Sequence, residues 1–373
     1  MFIRILFTNF FLMITGILFA QTPVNQKQID SGKYPETVLK LSPSENNPRN
    51  SEGDFVNLKD GRILFVYTRY NQKSADDNAP AFLAGRYSND GGKTWTQKDD
   101  VILPNEGGMN IMSVSLLRLQ NDDIGMFYLK KNSGIDCIPM LRISKDEAKS
   151  WSNAIPCITD KKGYFVLNND RVIKLKDGRL IMAVARHCVP GGEDKAVGDL
   201  FSYYSDDNGQ TWTSSAQVPN PKGIVTQEPG LIEMRDGRIM MYIRASGGWQ
   251  QLSFSNDLGK TWSPIEKSNI VSPISPATIE KIPGTRDWLL VWNNNGKSDR
   301  RTPLTSAISK DEGKTWKHIK NINGDPDLWL CYIAIHFVDK KHLLLGYCAG
   351  SQSKNTYLSV TDVTLLKKSW LYK

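Results

Sequence analysis

Ser88-Asn89-Asp90-Gly91-Gly92-Lys93-Thr94-Trp95 is the first of five versions of one pattern in this chain. The others are Ser144–Trp151 (SKDEAKSW), Ser205–Trp212 (SDDNGQTW), Ser255–Trp262 (SNDLGKTW) and Ser309–Trp316 (SKDEGKTW). Their first serines stand about 56, 61, 50 and 54 positions apart, close to the period of propeller blades. Each copy reads as a hairpin turn. Ser and Asp side chains bond backbone groups inside it, Gly takes a backbone angle that most residues avoid, and Trp covers apolar surface beside it. Ala148 stands where the other copies have Gly, so a distorted turn is expected there.

A second kind of turn runs in phase with the first. Leu58–Leu64 (LKDGRIL), Leu175–Ile181 (LKDGRLI) and Met234–Met240 (MRDGRIM) each join two apolar runs through Asp-Gly, a strong hairpin signal. Weaker versions lie at Leu119–Gly125, Ile282–Leu289 and Val338–Leu344. Six inner hairpins against five outer turns predict an all-β, six-bladed β-propeller. Its sixth blade takes an outer strand from near Thr37–Leu41.

The first twenty residues differ from the rest. Arg4 precedes a mostly apolar run from Ile5 to Phe19, and Ala20-Gln21 opens a polar stretch. Residues 1–20 therefore read as a cleaved signal peptide, and 21–373 as a single propeller domain that is secreted or periplasmic. No later segment is long and apolar enough to insert in a membrane. Five cysteines are too few, and an odd number, for a disulfide framework, although Cys331 and Cys348 flank one hairpin. Four histidines without ligand spacing argue against a metal site, and no motif calls for a cofactor. The net charge of +8 is spread rather than clustered with aromatics, which speaks against nucleic acid and for anionic ligands.

In a propeller the first strand of each blade lines the central channel. Arg49, Glu52, Asp54, Ser113, Asp170, Arg171, Glu228 and Tyr332 fall just ahead of inner hairpins, with Arg69 and Arg244 on the strands that follow. Polar groups there need partners. They read either as a site for an anionic sugar or as an inter-blade ion-pair network.

With these repeats the chain resembles the sialidase family, whose hallmark is the Asp box S-x-D-x-G-x-T-W. The resemblance covers nearly all of the mature sequence. It implies three arginines that clamp a substrate carboxylate, as bidentate guanidinium geometry suits, a Tyr nucleophile with a Glu partner, and an Asp acid/base. Glu228-Pro229-Gly230 through Tyr242-Ile243-Arg244 resembles the segment that runs from that Glu to a clamp arginine. Arg301-Thr302-Pro303 resembles the segment of the third arginine, and Cys331-Tyr332-Ile333-Ala334 that of the nucleophile. In blade one only Arg49 matches, and Glu52 and Asp54 are additional acids beside it. The acid/base falls on Asp76, with Asp77 as the neighbouring alternative, and Arg69 is a secondary contact. Asp170 and Arg171 add a charged pair. Ser113 stands where the family often has Asp.

Three functions are compatible with this. The first is an exo-glycosidase of sialidase type acting on a terminal acidic, sialic-acid-like sugar of a glycan, with Tyr332, Glu228 and Asp76 catalytic and Arg49, Arg244 and Arg301 as the clamp. The second is a glycosidase that pairs Glu228 with Glu52 or Asp170. The third is a propeller that binds glycan without cleaving it.

Overall fold

Asp-Gly turns set the hairpins from which the fold is built. Gly61, Gly178 and Gly237 have φ of 88°, 95° and 87°, a region without steric cost only for glycine. Asp60, Asp177 and Asp236 each accept the backbone N–H two residues on, at 3.0, 3.0 and 3.1 Å. The weaker turns close as well: Leu119 N–H bonds Asp123 O at 2.9 Å and Ile282 N–H bonds Asp287 O at 2.9 Å.

The structure, a computed structural model, describes residues 33–373, so the segment read as a signal peptide lies outside the described residues. Residues Tyr34–Lys373 form one compact unit. Its strands make five hydrogen-bonded sheets. Asn50–Asn57, Ile63–Tyr70, Ala81–Ser88 and Asp100–Leu103 form the first, in chain order and antiparallel. Thr226–Glu233, Ile239–Ala245, Trp249–Ser255 and Glu266–Val271 repeat that order, as do Thr278–Lys281, Trp288–Asn293, Leu304–Ser309 and Lys317–Asn323.

A nine-stranded sheet lies between these in the chain and contains two such units. Asn110–Arg118, Ile124–Ser133 and Asp136–Ser144 belong to one, and Leu180–Cys188 and Asp199–Ser205 to the other. The units join through one parallel rung, Tyr164 opposite Cys137. In the last sheet Leu328–Phe337, His342–Ser351 and Thr361–Lys367 are followed by Glu36–Leu41, the early strand read from the sequence, which pairs with the chain's final strand. No helix among the described residues is long and apolar enough to cross a membrane.

Alternation along each strand gives every sheet two apolar faces, so each packs on both neighbours. Val56, Leu64 and Leu83 meet Ile111, Leu116 and Met126. Phe127 and Leu141 meet Leu180, Met182 and Phe201, and Ile181 and Ala183 meet Leu231 and Met241. Met240 and Tyr242 face Leu290 and Trp292, and Leu289 and Val291 face Leu343 and Leu345. Finally Phe55 and Phe65 pack on Leu344 and Val363, so the packing returns from the last sheet to the first. Each buried Leu, Ile or Phe contributes roughly 1.5–3 kcal/mol.

The outer turns are hydrogen-bonded knots. Ser88 Oγ donates to Asp90 at 2.9 Å and accepts the Gly92 N–H at 2.8 Å, while Asp90 accepts the Thr94 N–H at 2.9 Å and its hydroxyl at 2.6 Å. Tryptophans tie these knots to the unit before: Trp212 stands edge-on to Phe127 at 5.9 Å, and Trp262 Nε1 donates to Ser202 Oγ at 3.0 Å. The Ala148 copy is not distorted, contrary to the sequence-based expectation. Ser144 Oγ accepts the Ala148 N–H at 2.8 Å and Asp146 accepts the Ser150 N–H at 2.9 Å, as in the other copies. Ala148 instead adopts φ 64° itself, at a cost of about 1 kcal/mol relative to glycine.

Candidate active site

The inner strands share a local irregularity. Glu52, Ser113, Glu228 and Tyr332 have φ of 52°, 59°, 40° and 59°, and each sits where the register of its strand slips. Asp170, ahead of the short strand Ile173–Lys174, has φ 54°. These are β-bulges that re-aim a side chain out of its ladder. A non-glycine residue held there costs roughly 1–3 kcal/mol, and such strain gathers at functional sites.

Two groups of side chains result. In the first, Tyr332 Oη donates to Glu228 Oε1 at 3.3 Å. Arg244 Nη1 lies 2.7 Å from Glu228 Oε2, and its Nε donates to Ile274 O at 3.1 Å. The Arg301 guanidinium lies 5.5 Å from the Tyr332 ring and 5.3 Å from the Trp329 ring. Arg301 is buried, and its Nη1 has no hydrogen-bond partner. Burial raises the Tyr332 phenol far above its usual range, and Glu228 adds to that, while Arg301 and Arg244 oppose it. For Glu228 burial also favours the neutral acid, but Arg244 and Arg301 outweigh it and hold the carboxyl below its usual range. A neutral phenol thus faces an ionised carboxylate.

Arg49 organises the second group. Its side chain is 3 % exposed. Nη1 bonds the Asp77 carboxylate and donates to Ala75 O at 3.3 Å, Nη2 lies 3.4 Å from Glu52 Oε1, and Nε donates to Ser51 Oγ at 3.2 Å. The Tyr70 ring lies 4.8 Å from the guanidinium carbon. Glu52 also accepts the Ser113 hydroxyl. The neighbouring protein atoms partly desolvate the exposed Asp77 carboxylate, but Arg49, Lys131 and Arg301 together hold it below the usual range. Burial lifts Glu52 above its usual range against the pull of Arg49.

Most candidates read from the sequence fall in these groups, but five do not. Asp76 is exposed and accepts the Asn78 N–H at 2.8 Å within its own loop, so its neighbour Asp77 is the acid that reaches Arg49. Arg69 is on the opposite face of its strand from Tyr70 and ion-pairs Asp99 at 2.9 Å, because successive side chains alternate. Arg171 is 1 % exposed; its two terminal nitrogens bond the scaffold, while its Nε has no hydrogen-bond partner. Its Nη1 donates to Thr278 Oγ1 at 3.1 Å and its Nη2 to Ala277 O at 2.7 Å. Asp170 accepts the Ile335 N–H at 2.9 Å, and burial raises its carboxyl to about 7 beside Asp54 and Glu280. Asp54 accepts the Leu116 N–H at 2.7 Å and leaves Arg49 to Glu52.

Lys131 and Trp329, which the sequence reading passed over, complete the site with Asn110. Lys131, 2 % exposed, donates through Nζ to Asp77 O at 2.9 Å, and Asn110 Nδ2 donates to Asp77 O at 2.7 Å and Ala79 O at 2.9 Å. Trp329 lies beside Arg301. A lysine at the end of the apolar run Ile124–Leu129 was the one visible signal for Lys131.

Comparison with known proteins bears on the fold and the family. The profile of the BNR repeat-like domain matches residues 86–360. A sialidase of Clostridium perfringens is 27 % identical over 276 residues, covering 65 % of this chain and 69 % of that protein. A sialidase of Bacteroides fragilis is 27 % identical over 241 residues, covering 61 % of this chain but 42 % of that protein. In fold, the intramolecular trans-sialidase of Ruminococcus gnavus superposes with a TM-score of 0.70 over 91 % of this chain and 99 % of that one, at 14 % identity. Repeats, sheet order and matched span lead to one assignment: the chain belongs to the BNR repeat-like family of the sialidase superfamily.

Proposed function

We propose that the protein is a glycoside hydrolase of sialidase type that removes a terminal acidic, sialic-acid-like sugar from a glycan. In this reading the five sheets are six blades of a propeller, the nine-stranded sheet being two blades joined by one rung. Residues 21–373 form that single domain, delivered outside the cytoplasm as a secreted or periplasmic protein by the signal peptide at 1–20. The observation that carries the activity is the Tyr332–Glu228 hydrogen bond at 3.3 Å, flanked by Arg244 and Arg301.

The chemistry follows from those charges. Glu228 takes the phenol proton as the Tyr332 oxygen bonds the anomeric carbon and the glycosidic bond breaks. A phenol is neutral beforehand, so the anionic sugar does not meet a carboxylate at the carbon under attack. Arg244 and Arg301 stabilise the phenolate as it forms. Arg49, Arg244 and Arg301 clamp the sugar carboxylate, and the unpartnered Nη1 of Arg301 supports this. Asp77, rather than Asp76, gives the proton to the leaving oxygen. Water then cleaves the sugar from Tyr332, with Asp77 accepting the water's proton and Glu228 returning the phenol proton to the Tyr332 oxygen. The two-carboxylate alternative has less support, since Glu52 is bound by Arg49 and Ser113 and Asp170 by the Ile335 N–H.

The purified protein, screened on acidic glycans, should release monosaccharide. Tyr332→Phe should lower kcat by about 10³-fold or more, in the range of a lost nucleophile or acid–base partner. Asp77→Asn should also lose turnover, whereas Asp76→Asn keeps it. Full turnover by Tyr332→Phe would sink the nucleophile assignment. Absence of release from every acidic glycan would leave a binding propeller.

A further inference from the structure

Four of the five N–H donors of Arg49 are taken by the protein. Its Nε is on Ser51, its Nη2 on Glu52 and its Nη1 on Asp77 and Ala75 O. One Nη2 N–H is left, enough for a single bond, so a substrate carboxylate that bridges both terminal nitrogens needs an Nη1 N–H from which one of the protein's own groups has left. The groups differ sharply in freedom. Glu52 is buried, starts from a left-handed bulge residue, and is held from the other side by the Ser113 hydroxyl. Ser51 is a fully buried residue of the same strand. Asp77 is different: its side chain is 62 % exposed.

The loop around Asp77 separates the two motions that matter. Lys131 and Asn110, both buried, hold the Asp77 carbonyl, and Asn110 also holds that of Ala79. The backbone is anchored from below while the carboxylate is free to rotate about its own side-chain bonds.

We infer that Asp77 is a displaceable cap on Arg49: the carboxylate of an incoming acidic sugar takes its place on Nη1, and the released side chain turns to the glycosidic oxygen as proton donor. This rests on the reading of Arg49 as a clamp residue and Asp77 as the acid. It accounts for a difficulty in that reading, since an aspartate tied to an arginine is ionised and has no proton to give.

Displacement supplies the proton. The charged and titratable groups around Asp77 are Arg49 and Glu52 on the first inner strand, Tyr70 on the next, Lys131, Tyr164, and Arg301 from the far side. Once Arg49 is neutralised by the sugar, Asp77 loses its main cationic partner and gains a carboxylate neighbour. Both changes favour the protonated form. One proton passes from solvent to the Asp77 carboxylate, giving the acid, and no other bond changes. Binding of the sugar and protonation of the catalyst are then one coupled event.

The test is calorimetric and needs no turnover. N-acetylneuraminic acid and its methyl ester are titrated into the full chain at a pH above the normal aspartate range, in two buffers of different ionisation enthalpy. The wild type should take up protons on binding the acid and none on binding the ester. Asp77→Asn should bind the acid about five- to tenfold more tightly, as an ion-pair competitor is removed, with no uptake. Acid binding by the wild type without proton uptake, and with no gain in affinity for Asp77→Asn, would overturn the cap and leave the clamp standing. If neither protein binds the acid, the clamp itself is wrong and the cap falls with it.

Discussion

The outer turns and the bulged inner strands both depart from regular strand, and they do so in opposite ways. At the outer turns the same bonds recur in sequence-local form: Ser to Asp two residues on, Asp to Thr or Ser four residues on. At the inner bulges no two partners repeat. Glu52 meets Ser113, Glu228 meets Tyr332 and Arg244, and Asp77 meets Arg49. A repeated local knot can stabilise every unit but cannot recognise a molecule without symmetry. Residues that occur once each, brought from different sheets, can.

The first way to break this contrast is at the inner end. Arg301→Lys keeps one charge but loses the planar fork and its place over Tyr332 and Trp329. It should lower kcat/KM by about 10²-fold or more while unfolding as the wild type does. Equal losses in activity and stability would mean that the inner residues are scaffold as well.

A smaller effect is expected at the outer end. Asp207→Ala removes the acceptor of the Thr211 N–H and hydroxyl and should cost about 1–3 kcal/mol in urea unfolding, with kcat unchanged. Smallest of all, Ala148→Gly relieves the one alanine in its left-handed position but uncovers a buried methyl. The net gain should be up to about 1 kcal/mol, read as a rise in Tm. A loss of stability would show that the Ala148 methyl packs better than its backbone is strained.

The same contrast explains what was legible in the sequence. The five turns, the inner hairpins and the closing strand near Thr37–Leu41 could be read because each is a local pattern, and five copies reinforce one another. The Ala148 copy misled because residue type was taken to govern backbone angle, whereas the Ser144 and Asp146 bonds hold the turn whatever stands between. Glu228, Tyr332, Arg244 and Arg301 were visible through resemblance. The choice between Asp76 and Asp77 was not, because Lys131 and Asn110, from another sheet, decide which of them faces Arg49. Arg69 and Arg171 were misread for a related reason. Charge near the end of an inner strand says nothing about which face it leaves by. Glu52, Ser113, Asp170, Glu228 and Tyr332 were read as standing just ahead of inner turns, and superposing the repeats would in addition have marked them as one structural position.

Arg171 carries a different consequence. Sheets that touch only their neighbours behave like hinged slats, and small tilts add up around the molecule. The Arg171 guanidinium belongs to the third unit of the chain, yet it grips Ala277 and Thr278 of the fifth and lies 5.6 Å from the Tyr242 ring of the fourth. It is a spoke that sets a span across the axis. Gene duplication can lengthen such a chain by one repeat at little cost to any single knot or core, but the spoke would then be the wrong length. One side chain thus ties together three units that are not all neighbours in the chain.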